Sequence, residues 1–378
     1  MTAMSRPDDR ALRHLPTLEA QKAALETCTF CPKLCRSACP VSNAEPRESL
    51  TPWGKMSLAY GAATGSVART EDVAQTAWAC TGCFGCREHC DHRNEVGPTL
   101  LDARDAYRAA DLTPPAARGV LAGFDAHARD TVARAGIVAD RAGAKVAAGA
   151  KTAVLVGCAY LSRAQDEATH AILAAAELEG APVSVVDACC GLPLLHAGDK
   201  ARFLAQAALL DDATKGAERV VVVDPGCAVA LRVYARAGGV TTRASVELLV
   251  ELAAAELGRL SRVSFAEGPV RYHDPCQLGR GLGVYEAPRA VLTRALGRAP
   301  DEFFRKREDA RCSGAGGLLP VTMPEVASAT TRRRIDDHVE RGGGTIVTAC
   351  ASSLSRFRGE GAEAIDLSTV LARALGAV

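Results

Sequence analysis

Fifteen cysteines in 378 residues, about 4 per cent, fall well short of the roughly 8 to 10 per cent of a small disulfide-stapled secreted chain. The total is odd, so complete pairing is excluded as well. The first thirty residues hold no apolar run suited to a signal peptide, and no later stretch approaches the roughly 18 apolar residues of a membrane span. These absences predict a cytoplasmic, reduced chain, with peripheral attachment to the inner membrane face as its one route to a bilayer. Charge of one sign is lacking too. With 45 basic and 44 acidic residues the net charge is +1, which gives no footprint for nucleic acid. The short runs Arg305 to Arg307 and Arg332 to Arg334 are expected to be solvated helix faces. No G-x-G-x-x-G or P-loop motif occurs, so no nucleotide or flavin is expected on this chain, and no serine-hydrolase or carboxylate-pair motif stands out.

What the chain does have is thiols in a pattern. Cysteines clustered in a reducing compartment read as metal or redox ligands. Cys80, Cys83, Cys86 and Cys90 follow the C-x2-C-x2-C-x3-C spacing of bacterial ferredoxins. Upstream, Cys28, Cys31, Cys35 and Cys39 repeat it with one extra residue before the third cysteine, and Pro40 follows directly. Three thiolates on a tight loop can cap one iron-sulfur cube, while the fourth points away to the neighbouring cube. The expected ligand sets are therefore Cys28, Cys31, Cys35 and Cys90 for one 4Fe-4S cluster, and Cys80, Cys83, Cys86 and Cys39 for a second. Zinc, one site per C-x2-C pair, is the alternative, and it leaves the third cysteine of each run without a role.

The hydropathy pattern divides the chain. Helical stretches flank both cysteine runs, and "TPWGKMSLAYGAATG" reads as an N-capped helix, so residues 1–110 are expected to form a helical ferredoxin domain. Built around two cubes, it is expected to have little apolar core of its own and to draw much of its folding free energy from the clusters. Residues 111–150 read as a polar, Ala-rich helical connector. Beyond it "TAVLVGC", "VSVVDACC", "RVVVVDPGC", "VRYHDPC" and "TIVTAC" alternate with amphipathic helices, the pattern of parallel strands covered on both faces. The fold class is thus α+β multidomain, a helical module followed by an α/β unit. Each run ends in cysteine, at the carboxyl end of its strand, where parallel sheets gather ligands. The unit is duplicated: Cys190 to Cys227 and Ser313 to Cys350 are both 37 positions apart (227 − 190 and 350 − 313). The two copies are placed at 151–262 and 263–378.

With these motifs the chain resembles the CCG-domain iron-sulfur proteins, which include the catalytic subunit of heterodisulfide reductase. The iron-sulfur subunits of glycolate oxidase, of lactate utilisation and of anaerobic glycerol-3-phosphate dehydrogenase are similar. The resemblance runs from about residue 20 through "CCGLP", "YHDPC", "CSGAGG" and "VTAC". It implies that each repeat uses a lone cysteine, a CCG and a closing C-x2-C around a redox centre. Carried over, the first repeat supplies Cys158, Cys189, Cys190 and Cys227, and the second Cys276, Cys312 and Cys350. Ala230 and Ser353 stand where the last cysteine belongs, and Ser313 replaces a CCG thiol. Four thiolates can complete a third cluster in the first repeat. Three in the second leave an open-iron cluster, zinc with His273, or no metal. His196 and the Gly314–Gly317 turn are weaker candidates, each equally explained by the fold alone. The implied function is an iron-sulfur electron-transfer subunit of an oxidoreductase, working between a flavoprotein dehydrogenase and a quinone or soluble carrier. A disulfide or thiol reductase acting at the CCG-like site, and a non-redox assembly protein using clusters and zinc structurally, are the alternatives.

Overall fold

A computed structural model describes residues 12–265 and 268–378; the first eleven residues of the 1–110 module and two residues early in the second repeat lie outside the described residues. The N-terminal part is helical. Thr51 accepts a hydrogen bond from the Gly54 amide and Pro52 opens the helix Pro52–Thr64, which Gly65 closes in a left-handed conformation. This helix packs on Lys22–Thr29, and Val96–Ala109 lies across both. Leu18, Leu25, Met56, Trp78, Leu100 and Tyr107 are buried together at the centre. The module therefore has an apolar core of its own, against expectation. Alanines such as Ala59, Ala62 and Ala103 count for little in a hydropathy pattern, yet they let helices close tightly around a few large side chains.

Pro115–Ala142 is one 28-residue helix. Phe124, Ala135, Val138 and Ala142 on one of its faces are buried in the core of the α/β unit.

That unit holds two four-stranded parallel sheets. The first contains β1 (Thr152–Leu155), β2 (Ser184–Val185), β3 (Arg219–Val222) and β4 (Ser245–Leu248); the second contains β5 (Val270–His273), β6 (Asp301–Glu302), β7 (Thr345–Thr348) and β8 (Ala364–Asp366). Their spatial orders are β2-β1-β3-β4 and β6-β5-β7-β8, the same topology twice, as the counted repeat predicts. All five expected strands are present. The three missed ones, β4, β6 and β8, carry Glu247, Asp301, Glu302 and Asp366 in place of an apolar run. In each sheet the order reverses between the first and third strands, which opens a crevice at their carboxyl ends. One continuous core includes residues of both repeats, and Tyr160 of the first donates to Asp366 of the second at 2.9 Å. Among the described residues no helix is long and apolar enough to cross a membrane.

The basic runs are not solvated helix faces throughout. Arg334 is fully buried, stacked 3.6 Å from the Phe303 ring centroid, with its Nε donating to His273 Nδ1 at 3.2 Å. The segment Arg305 to Arg307 lies outside any strand or long helix.

Candidate functional site

The eight N-terminal cysteines border two adjoining cavities. One is lined by Cys28, Cys31, Cys35, Cys86 and Cys90, the other by Cys39, Cys80, Cys83 and Cys86. Cys90 thus lies with the upstream run and Cys39 with the downstream one, and Cys86 forms part of both walls. Each run bends at a non-glycine residue in the left-handed region, Lys33 at φ 69° and Phe84 at φ 58°, a conformation that surrounding structure must enforce. Asn94 Nδ2 donates to Cys28 Sγ at 3.0 Å, and the Gly82 amide to Cys80 Sγ at 3.4 Å. Burial pushes the Cys28 thiol up to about 12 and the Cys35 thiol to about 11, so neither ionises near neutral pH until a metal displaces its proton.

In the first repeat Cys158 follows β1, Cys189 and Cys190 follow β2, and Cys227 follows β3. Their thiols lie close enough to perturb one another's ionisation, Cys158 beside Cys189, Cys189 beside Cys190 and Cys190 beside Cys227. Gly157 at φ 93° permits this, because a side chain there would meet Asp224 Cβ at 2.8 Å and Cys227 Sγ at 3.1 Å. A residue that sequence reasoning passed over joins the group. His127, on the helix Pro115–Ala142, brings Nε2 to 3.8 Å from Cys189 Sγ. π-helical turns follow the lone or closing cysteine of each repeat, at Gln277–Gly281 and Ala230–Ala235, a form common beside functional sites.

The second repeat is arranged differently. Cys312 makes thiol contacts with Cys276 and also with Cys83 of the ferredoxin run, while the Gly314 amide donates to its sulfur at 3.3 Å. Cys350 is pushed up to about 12 by burial and the Asp224 carboxylate and is hydrogen-bonded to Ser352 and Ser353. Ser313 and Ser353, the two serines at the missing cysteine positions, hydrogen-bond to one another at 2.8 Å in the buried interior. The pair satisfies its own hydrogen-bonding capacity.

A 4Fe-4S dicluster domain matches residues 24–94, and the cysteine-rich CCG domain matches twice, over 152–232 and 270–357. The chain belongs to the CCG-domain iron-sulfur proteins. It is 32% identical over 205 residues to one polypeptide of the dihydromethanophenazine:CoB–CoM heterodisulfide reductase of Methanosarcina barkeri, covering 50% of this chain and 49% of the relative. One polypeptide of the fumarate reductase (CoM/CoB) of Methanothermobacter marburgensis is 26% identical over 299 residues, 74% of this chain and 56% of that one. The EtfAB:quinone oxidoreductase of Syntrophomonas wolfei is 26% identical over 349 residues, 78% and 48%. The chain spans about half the length of the curated relatives it matches.

The charges of this CCG protein test whether an anionic cluster fits. Three buried cations surround Cys39, Cys80 and Cys83. Lys55 Nζ lies 3.5 Å from Cys39 Sγ; Arg104 donates to the carbonyls of Ala77, Cys80, His196 and Gly317; Arg280 donates to those of Cys83, Glu308 and Ala310. Among the described residues none of the three has a carboxylate partner. Burial lowers Arg104 to about 10, which leaves it charged at neutral pH. Buried cations without counter-ions are costly, and a four-thiolate cluster with net negative charge would compensate them. Zinc fits the runs less well. Tetrahedral zinc sets its sulfurs about 3.8 Å apart. Among the described residues the only His, Cys, Asp or Glu trio with ligand atoms within 4.8 Å of one another is His127, Cys158 and Cys189.

Of the histidines named from sequence, His273 is buried in the core and His196 is half-buried. Burial and the neighbouring Arg104 push His196 down to about 3, and its carbonyl serves Arg104. His273 is buried between Phe357 and Phe303, held well below its usual range by burial and Arg334, and its Nδ1 is occupied by Arg334. The Gly314–Gly317 turn binds backbone: side chains at 316 or 317 would collide with the Thr81 and Cys80 carbonyls.

Proposed function

We propose that this chain is the iron-sulfur electron-transfer subunit of an oxidoreductase. Cys28, Cys31, Cys35 and Cys90 hold one 4Fe-4S cluster, Cys80, Cys83, Cys86 and Cys39 a second, and Cys158, Cys189, Cys190 and Cys227 a third. When bound, these clusters supply one-electron redox chemistry. The observation that carries the reading is the exchange of Cys39 and Cys90 between two cavities that share Cys86, which is the geometry of two neighbouring four-thiolate sites. The chain's own contribution is to bury the thiols, donate hydrogen bonds to sulfur from Asn94 and Gly82, and gather Lys55, Arg104 and Arg280 around the second site. A flavoprotein is the proposed donor and a quinone or soluble carrier the acceptor. Relatives whose names include a quinone and dihydromethanophenazine support this choice. Iron and acid-labile sulfide analysis of anaerobically purified protein, with electron paramagnetic resonance on reduction, tests it. About twelve irons and twelve sulfides per chain are expected from three clusters of four. Stoichiometric zinc without sulfide would overturn the reading.

A second reading, thiol–disulfide chemistry in the second repeat, is favoured by one contact. Cys276 and Cys83 are both close enough to Cys312 to perturb its ionisation, which places a thiol pair suited to a dithiol–disulfide couple beside the ferredoxin run. Reduction of that disulfide takes two electrons and two protons.

A further inference from the structure

The family pattern leaves the first repeat one donor short, because Ala230, fully buried at the head of its π-helical turn, stands where the closing cysteine belongs. The missing donor has a replacement from outside the matched domain. His127 belongs to the helix Pro115–Ala142, which ends before the matched segment begins at residue 152. Its Nε2 and the sulfurs of Cys158 and Cys189 lie within 4.8 Å of one another. Ligands of one tetrahedral metal with M–S of about 2.3 Å and M–N of about 2.0 Å lie about 3.5 to 3.8 Å apart, so this trio needs only a small contraction to share a metal. The helix is anchored for the purpose. Phe124, one turn before His127, is buried in the core, and Thr131, one turn after, is buried and bonds back to the His127 carbonyl at 2.8 Å.

We propose that His127 Nε2 is a ligand of the metal centre in the first repeat, sharing one metal with Cys158 and Cys189, while Cys190 and Cys227 bind the other metals of a cluster held by one imidazole and four thiolates. The proposal rests on the reading of that repeat as metal-bearing. A neutral imidazole in place of a fifth thiolate removes one negative charge from the centre, and histidine ligation raises cluster reduction potentials. The inserted helix is then a functional part of the site, delivering by tertiary packing what the local motif has lost.

The test compares His127→Ala, His127→Cys and Cys190→Ala in the full chain, purified anaerobically. Iron, sulfide and zinc per chain, midpoint potentials and far-ultraviolet circular dichroism are measured for each. His127→Ala is expected to lose or destabilise the same centre that Cys190→Ala loses, with the ferredoxin clusters and helicity retained. His127→Cys is expected to restore the metal and lower the midpoint potential of that centre, a shift that a merely structural histidine would not produce. If His127→Ala keeps the full metal complement and an unchanged midpoint while Cys190→Ala loses a centre, the ligand assignment is overturned and the first repeat remains metal-bearing. If Cys190→Ala also loses no metal, the metal-bearing reading falls, and the ligand assignment with it.

Discussion

Replacing Lys55 by methionine removes one buried charge while keeping the length and apolar stem of the side chain. Lys55 is 2% exposed, and its Nζ lies 3.5 Å from Cys39 Sγ. An electron added to a cluster held by that sulfur is delocalised over the cube, at a mean distance of about 6 Å from the ammonium. With an effective dielectric constant of about 20 their attraction is about 2.8 kcal/mol. That equals about two decades in the one-electron equilibrium, or about 120 mV. The cation favours the reduced form, so Lys55→Met should lower the midpoint potential of the Cys39, Cys80, Cys83 and Cys86 cluster by about that amount. The neighbouring cluster faces the neutral Asn94 amide and lies farther from Lys55, so it should move by less than half as much. A redox titration of anaerobically purified protein, followed by electron paramagnetic resonance, resolves the two. Shifts below about 30 mV in both clusters, or a larger shift in the cluster on Cys28, would refute the argument that buried cations set the second cluster's potential.

Cys39→Ala should damage the cluster on Cys80, Cys83 and Cys86 and spare the other, whereas Cys90→Ala should do the reverse; metal analysis with spectral assignment of the surviving cluster distinguishes the two variants. Burial raises Asp366 to about 6 from 3.8, so the folded chain binds the extra proton between those values and stability falls as pH rises through that window, by up to about 3 kcal/mol for this group. Between pH 5 and pH 7 Asp366→Asn should make the change in urea-melt stability less negative by about 1 kcal/mol; Asp224, raised to about 6 in the same way, adds a like fall, and His196 and His273, both held below the usual imidazole range, add an opposing rise. An unchanged pH difference in the variant would count against it. Leu25→Ala should cost about 2 to 5 kcal/mol, because Leu25 is fully buried in the N-terminal core. The same core predicts that chelating the iron leaves much of the module's helicity in place, and complete loss of helical circular dichroism on chelation would mean that the clusters, and not Leu25 and Trp78, hold it together.

The thiol runs, the duplication and five of the strands could be read from the sequence because each is written in local spacing. The rest depends on approach in space. His127 lies 31 positions before Cys158 (158 − 127) on a helix with no sequence signal of a site, and only the burial of Phe124 and Val138 turns it towards the thiols. Arg334 looks like one of three solvated arginines until Phe303 and His273 close over it. The contact of Cys312 with Cys83 joins residues 229 positions apart (312 − 83), and spacing rules say nothing about such pairs. Likewise the glycines at 316 and 317 are a tight turn in sequence and a docking surface for Cys80 and Thr81 in the fold.

Arg104 has a consequence for how such proteins can be recombined. One guanidinium holds carbonyls from the ferredoxin module at Ala77 and Cys80, from the first repeat at His196, and from the second at Gly317. A chimera that exchanged the N-terminal module with that of a relative would therefore have to import both facing loops with it. Otherwise a charged group would be stranded at a three-way junction. The modules are separable as units of ancestry and inseparable as parts.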